Sequence, residues 1–233
     1  MSTYRIPRRF PLTLSDGNGQ MAGFHDNLIR AVVSLAGYTD PDLLRRALRL
    51  AMDAAPIAGC RVVTPHSAWR RPYFERLPNL DALSLLEVFN FADQAQADAA
   101  LEAWSLTPMD PNVGPLVVGA LFRVHPPADG GVGHDTLCLR IIHSFGDGAG
   151  TIQFLYLLSD LYAALQADPD YRPVPNCHGD RSFWQIIKTM SLAEIRRALQ
   201  SPPPFRFLET SGWSLPQPAE GSGPGILVAR ELP

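Results

Sequence analysis

Two apolar, β-branched runs flank one turn-rich segment near the middle of the chain. GPLVVGALFRV occupies 114–124, TLCLRIIH occupies 136–143, and PPADGGVGHD (126–135) crowds proline, glycine and aspartate between them. Runs this rich in Val, Leu and Ile read as buried strands, and a Gly/Pro-dense connection between two of them reads as a hairpin turn. A hairpin buried on both faces needs further strands beside it and helices above and below. The rest of the sequence has these. HDNLIRAVVSLAG (25–37) reads as an earlier strand, GCRVV (59–63) and LSLLEVF (83–89) as two more. TDPDLLRRALRLAMDAAP (39–56) reads as a helix, with Asp40 as its cap, Pro41 in its first turn and Leu43, Leu44, Ala47, Leu48 and Ala51 on one apolar face. QAQADAALEAWSL (94–106) is a second helix. Strands and helices alternate irregularly around an antiparallel hairpin, so the fold class is α/β (α+β), a layered mixed sheet covered by helices.

Beyond the hairpin, TIQFLYLLSDLYAAL (151–165) continues as a long helix with Phe154, Leu158, Leu161 and Leu165 on one stripe. SFWQIIKTM (182–190) and SLAEIRRAL (191–199) read as two more, the second opened by a capping box, Ser191 with Glu194. From 201 the character changes. SPPPFRFLETSGWSLPQPAEGSGPG holds six prolines and four glycines, the composition of a linker or crossover. The sequence divides into an N-terminal arm (1–24), a domain (25–200), the Pro/Gly-rich stretch (201–225) and a terminal strand, ILVARELP (226–233).

Composition narrows the function classes. The 233 residues are 46% hydrophobic with a formal charge of −3, enough for a sizeable core. Lys188 is the single lysine, and the arginines occur in scattered pairs with no basic stripe interleaved with aromatics. Nucleic acid is therefore not an expected partner. The first 20 residues lack the apolar segment of a secretory signal, and no apolar run approaches the ~20 residues of a membrane span. Cys60, Cys138 and Cys177 are widely spaced with no C-x-x-C, as reduced thiols of a cytoplasmic protein would be.

The chemistry-bearing stretch is IIHSFGDGAG (141–150). With period two, Leu137, Leu139, Ile141 and His143 share one side of their strand, and Thr136, Cys138, Arg140 and Ile142 the other. His143 then ends a buried apolar row, a partly desolvated place where an imidazole is easily held neutral and basic. Asp147 follows within a glycine-rich turn, and the next helix directs its N-terminal N–H groups toward the histidine's neighbourhood. Spacing alone leaves two roles open for His143, a structural residue at a strand end or a general base. In the structural reading Asp147 is only a turn or cap residue.

The stretch HSFGDG, preceded by an apolar strand and followed by LLSDLY, resembles the H-H-x-x-x-D-G region of the thioester-dependent acyltransferase superfamily. That superfamily has the chloramphenicol acetyltransferase-like fold and includes condensation domains of peptide synthetases, alcohol acetyltransferases and the plant BAHD enzymes. LIRAVVSLAGYTDPDLLRRALRLAMDAAPIAGCRVV and LTPMDPNVGPLVVGALFRV are similar to its segments before the motif, so the resemblance spans about 25–165. It implies acyl transfer from a thioester to a hydroxyl or amine, with His143 as the base, Asp147 bracing the loop through an arginine, and Gly148 letting backbone approach the reacting centre. Arg30, on the first strand, is the candidate partner of Asp147. Implied co-substrates are an acyl-CoA or a phosphopantetheinyl thioester, with no tightly bound cofactor. Implied partners are a small alcohol or amine acceptor, a carrier protein, and a second domain or subunit, because two-domain members run to roughly twice this length. The chain would then be the N-terminal half of that arrangement.

Ile142 stands where the family carries its first histidine, which weakens the resemblance to the peptide-bond-forming branch. Two other readings follow, a non-catalytic binding or assembly module of the same fold and a self-sufficient homo-oligomeric acetyltransferase. His134, Cys138 and His143 make no metal set, since Cys138 and His143 point to opposite faces of one strand. His25, His66, His125 and His178 fall in loops or at strand ends, and Trp69, Trp104, Trp184 and Trp213 are expected in or over the core.

Overall fold

The expected hairpin is the centre of the molecule. In a computed structural model that describes residues 5–13, 16, 27–66, 69–125, 133–177 and 188–200, strands β6 (Val117–Val124) and β7 (His134–Ile142) pair antiparallel, from Val117 opposite Ile141 to Val124 opposite His134. β2 (Leu28–Leu35) lies antiparallel on the other edge of β7, with Arg30 opposite Arg140 and Leu28 opposite Ile142. β5 (Leu86–Phe91) runs parallel to β6, which completes a mixed four-stranded sheet in the order β2-β7-β6-β5.

Helices cover both faces. On one lie α1 (Pro41–Ala54) and α3 (Gly148–Ala167). Leu48 of α1 reaches down to Gly119, where an added Cβ would sit 3.0 Å from Leu139, 3.2 Å from Leu86 and 3.4 Å from Leu48. A bare backbone at 119 is what lets α1 approach this closely. On the opposite face, α2 (Gln94–Leu106) places Trp104 edge-on to Phe122, ring centroids 6.2 Å apart. The helix starts follow their caps. Asp40 Oδ1 accepts from the N–H of Asp42 (2.9 Å) and Leu43 (3.2 Å), and Asp93 Oδ1 from Gln96 N–H (2.9 Å).

A second, three-stranded sheet was not expected from the sequence in this form. β1 (Arg9–Pro11), inside the stretch read as an arm, pairs with β4 (Tyr73–Arg76), and β4 pairs with β3 (Cys60–Val63). Glu75, 8% exposed, ties this sheet together through the hydrogen bond from Arg61 (2.9 Å) and the guanidinium groups of Arg8 and Arg9 at 3.7 and 3.6 Å. Arg61's bond holds its carboxyl below the usual range. Phe10, Val62 and Phe74 join the same apolar core as Leu48, Met52 and Leu139.

The chain divides into two units, Met1–Gly179 and Asp180–Pro233. Of the second, the described residues form a turn at 188–190 and a helix, α4 (Leu192–Gln200). Its capping box is present: Ser191 N–H donates to Glu194 Oε2 (2.7 Å), and Glu194 N–H to Ser191 Oγ (3.3 Å). So residues 180–200, assigned from sequence to the domain spanning 25–200, belong to this second unit. The helix expected at 182–190 falls largely, and the stretches 201–225 and 226–233 entirely, outside the described residues. Among the described residues no helix is long and apolar enough to cross a membrane.

At the end of the sheet where β7 begins, Asp135 is fully buried and receives both Nε and an Nη of Arg123 at 2.8 Å. The same carboxylate accepts from Thr39 N–H (2.6 Å), and Arg123 donates to Thr39 O (2.6 Å). Asp135 holds the Arg123 guanidinium above its usual range. Removing one partner of a buried, two-point pair strands the other. Asp135→Asn is expected to cost about 3 kcal/mol in urea unfolding, the lower part of the range because Arg123 keeps 17% of its side chain in water. The thiols give a second check. Burial pushes Cys60 up to about 12 and Cys138 up to about 11, both fully buried, whereas Cys177 is only half-buried. A thiol reagent at pH 8 is expected to label Cys177 alone in the folded protein and all three cysteines in denaturant.

Candidate functional site

The turn after β7 is fixed by the main chain on both sides. Ile142 N–H donates to Leu116 O and His143 N–H to Asn27 O, each at 2.9 Å, so both neighbouring segments grip the strand at its last residues. Phe145 N–H then donates to Ile142 O (2.8 Å), which reverses the chain. Ser144 (1% exposed) and Phe145 (8%) turn inward, and the Phe145 ring meets Phe154 of α3 edge-on, centroids 5.3 Å apart. His143 is left exposed.

This corrects one expectation. Leu137, Leu139 and Ile141 do share the α1/α3 face, but His143 does not extend their buried row. Pairing stops at Ile142, and alternation has no meaning once the chain enters a turn. The imidazole stands in solvent at the end of the central strand rather than in the core.

Asp147 is the N-cap of α3. Its Oδ1 accepts from Gly150 N–H (2.8 Å), and its carbonyl takes the first helical bond from Thr151 N–H (2.8 Å). Gly148 is the first helical residue, and a Cβ added there meets nothing within 4 Å. No main-chain or side-chain acceptor takes the N–H of Gly148 or Ala149 among the described residues, as befits the first turn of a helix. A 20-residue helix thus presents its positive end beside the exposed histidine.

The expected Arg30–Asp147 brace does not form. Arg30 Nε donates to Ser105 O (2.7 Å) at the C-terminal end of α2, on the opposite face of the sheet from α3. Beside it, Arg140 (7% exposed) donates to Thr107 O (2.7 Å) and lies 3.9 Å from the centroid of the Trp104 ring. The indole N–H of Trp104 is in turn taken by Glu87 Oε1 (2.9 Å). Burial lowers the Arg140 pKa. Two cations therefore close the negative end of α2, a structural task that claims Arg30. The signal in the sequence was Arg140 itself, one charge inside the apolar run LCLRII, with no partner legible nearby.

No family model matches the sequence, and comparison with curated proteins finds no significant relative. Solved structures do match. The first condensation domain of the calcium-dependent antibiotic synthetase, in complex with a substrate analogue, superposes with TM-score 0.62 at 22% identity, covering 84% of this chain and 49% of that one. The starter condensation domain of rhizomide synthetase RzmA gives 0.57 at 21%, covering 83% and 44%. SgcC5 from Streptomyces globisporus gives 0.56 at 20%, covering 82% and 43%. At such identities the likeness is one of fold. The chain has the condensation-domain, chloramphenicol acetyltransferase-like fold expected from its motif, and it spans less than half the length of these chains.

The placement of Asp147 and Arg30 on separate tasks has a measurable consequence. Asp147→Ala is expected to cost about 1 kcal/mol, as loss of an N-cap does. Combined with Arg30→Ala, the two losses are expected to add within about 0.5 kcal/mol in urea unfolding. Strong coupling between them would contradict the geometry.

Proposed function

We propose that this chain carries the base-bearing part of a condensation-type acyltransferase, moving an acyl group from a thioester to a hydroxyl or amine. The observation that carries the reading is the exposed imidazole of His143, pinned by main-chain bonds at the end of the central strand and beside the N-terminus of α3.

The chemistry runs as follows. His143 takes the proton from the acceptor O–H or N–H as that atom forms a bond to the thioester carbonyl carbon. Negative charge collects on the carbonyl oxygen, and the N–H groups of Gly148 and Ala149 offer it the positive end of a helix. The tetrahedral intermediate collapses with cleavage of the C–S bond. The departing thiolate recovers the proton from the imidazolium, which returns His143 to its starting state. Asp147 serves by holding the first turn of α3, and Arg30 is hydrogen-bonded at the C-terminal end of α2. The thioester is that of coenzyme A or of a phosphopantetheinyl arm on a carrier protein, and the acceptor is a small alcohol or amine. A second domain or subunit supplies the wall that His143 faces, in keeping with neighbours of which this chain covers less than half.

Ile142 favours a second reading, a non-catalytic module with the same fold. It is 1% exposed and packs in the core where the motif's first histidine would stand. The two readings part on one experiment, with gel filtration in parallel to detect self-association. The protein, together with any companion domain, is mixed with acyl-CoA and a panel of alcohols and amines, and released thiol is followed. An enzyme is expected to lose about 10²–10⁴-fold of its turnover in His143→Ala, with its urea midpoint unchanged. Equal turnover in the variant would falsify the base assignment, and no thiol release from the complete protein supports the binding module.

A further inference from the structure

A cavity of about 410 Å³ lies beside α1, away from the His143 turn and sharing no residue with it. Its walls come from α1, the segment 80–85 and Arg172. Leu50, Leu80 and Leu85, all buried, give it an apolar floor. Four arginines and two aspartates line it, which leaves two positive charges.

The arginines are not equivalent. Arg49 is neutralised and fixed, with Nε on Asp81 Oδ1 at 2.6 Å and an Nη 2.9 Å from Asp53 Oδ1. Arg45 is paired with Asp42. Arg46 and Arg172 are different, for each donates only to a main-chain carbonyl, Pro169 O and Tyr171 O respectively. Neither has a carboxylate partner among the described residues. The first of these contacts draws the chain after α3 onto α1, which brings both uncompensated guanidinium groups to one cavity. The surplus charge is therefore local and sits over leucine.

We infer that this cavity is a binding site for an organic phosphate, a dianionic phosphoryl group carried on an apolar or aromatic body. Two free guanidinium groups match a dianion, and their forked donors suit phosphoryl oxygens. The leucine floor takes the organic part, as in other pockets where a few polar groups orient a largely apolar ligand. A monocarboxylate satisfies only one of the two charges. This inference stands apart from the acyl-transfer reading, and either can fail without the other.

The test titrates the full-length chain with ADP, adenosine and acetate in a calorimeter. ADP is expected to bind, more weakly as salt is raised, and adenosine and acetate are not. The double substitution R46E/R172E, at two surface side chains, is expected to weaken ADP about tenfold or more with an unchanged circular dichroism spectrum. R46Q/R172Q replaces it if charge reversal disturbs folding. R70E/R71E, exposed arginines outside the cavity, is expected to leave ADP affinity unchanged, and so is His143→Ala. The inference is overturned if ADP gives no binding heat at millimolar concentration. It is equally overturned if adenosine or acetate binds as well, or if both double charge reversals weaken ADP alike.

Discussion

Everything at the candidate site depends on β7 being hydrogen-bonded along both edges until the residue where it stops. Its partners β2 and β6 run the length of the strand, and their flanking residues Asn27 and Leu116 take its last two N–H groups. The position of residue 143 is thus set by main-chain bonds that any residue there would make. The side chain adds nothing to the fold and is free for chemistry. A buried imidazole at the same place would have carried a desolvation cost that needs a partner, whereas an exposed one on a rigid backbone is oriented without it.

The ends of the sheet manage buried charge in two different ways. Where β7 begins, Asp135 and Arg123 satisfy one another across the β6–β7 pair, and Thr39 completes the carboxylate's remaining bond. Where it ends, Arg140 and Arg30 face each other across the β2–β7 pair, Arg140 donating to Thr107 O and Arg30 to Ser105 O. Carbonyls at the C-terminal end of α2 accept from both, and the face of Trp104 lies against Arg140. α2 is held by these two arginines in addition to its buried hydrophobics, Ala97, Leu101 and Trp104.

What could be read in the sequence was whatever depends on neighbours along the chain. The hairpin, the caps Asp40 and Ser191, the stripe Phe154–Leu158–Leu161–Leu165 and the placement of Trp104 over the sheet all rest on local pattern, and the structure has them. Strands β1 and β4 were missed because three and four residues, RFP and YFER, are too short for alternation to show, and Glu75's ring of arginines is assembled from distant segments. The outward turn of His143 was missed for a related reason. Period two extrapolates past a strand's end, and where pairing stops is decided by the partner strands. Arg30 was matched to the wrong partner because an arginine's reach across a sheet leaves no trace in spacing. The motif turn itself, His143 to Gly150, was legible as a turn and a helix start, since glycine and aspartate encode both locally.

Ile142 has a plainer meaning once the strand end is known. It belongs to the same buried apolar cluster as Leu137, Leu139 and Ile141, and it is opposite Leu28 in the ladder. A histidine there would be buried among apolar side chains, where a second proton on the ring is disfavoured by desolvation. Its imidazole would also need hydrogen-bond partners inside that apolar cluster. An isoleucine needs none. The neighbouring positions 142 and 143 thus answer to different demands, the first to packing in the apolar core and the second to solvent. Losing a histidine from 142 removes nothing from the exposed face on which the proposed base stands.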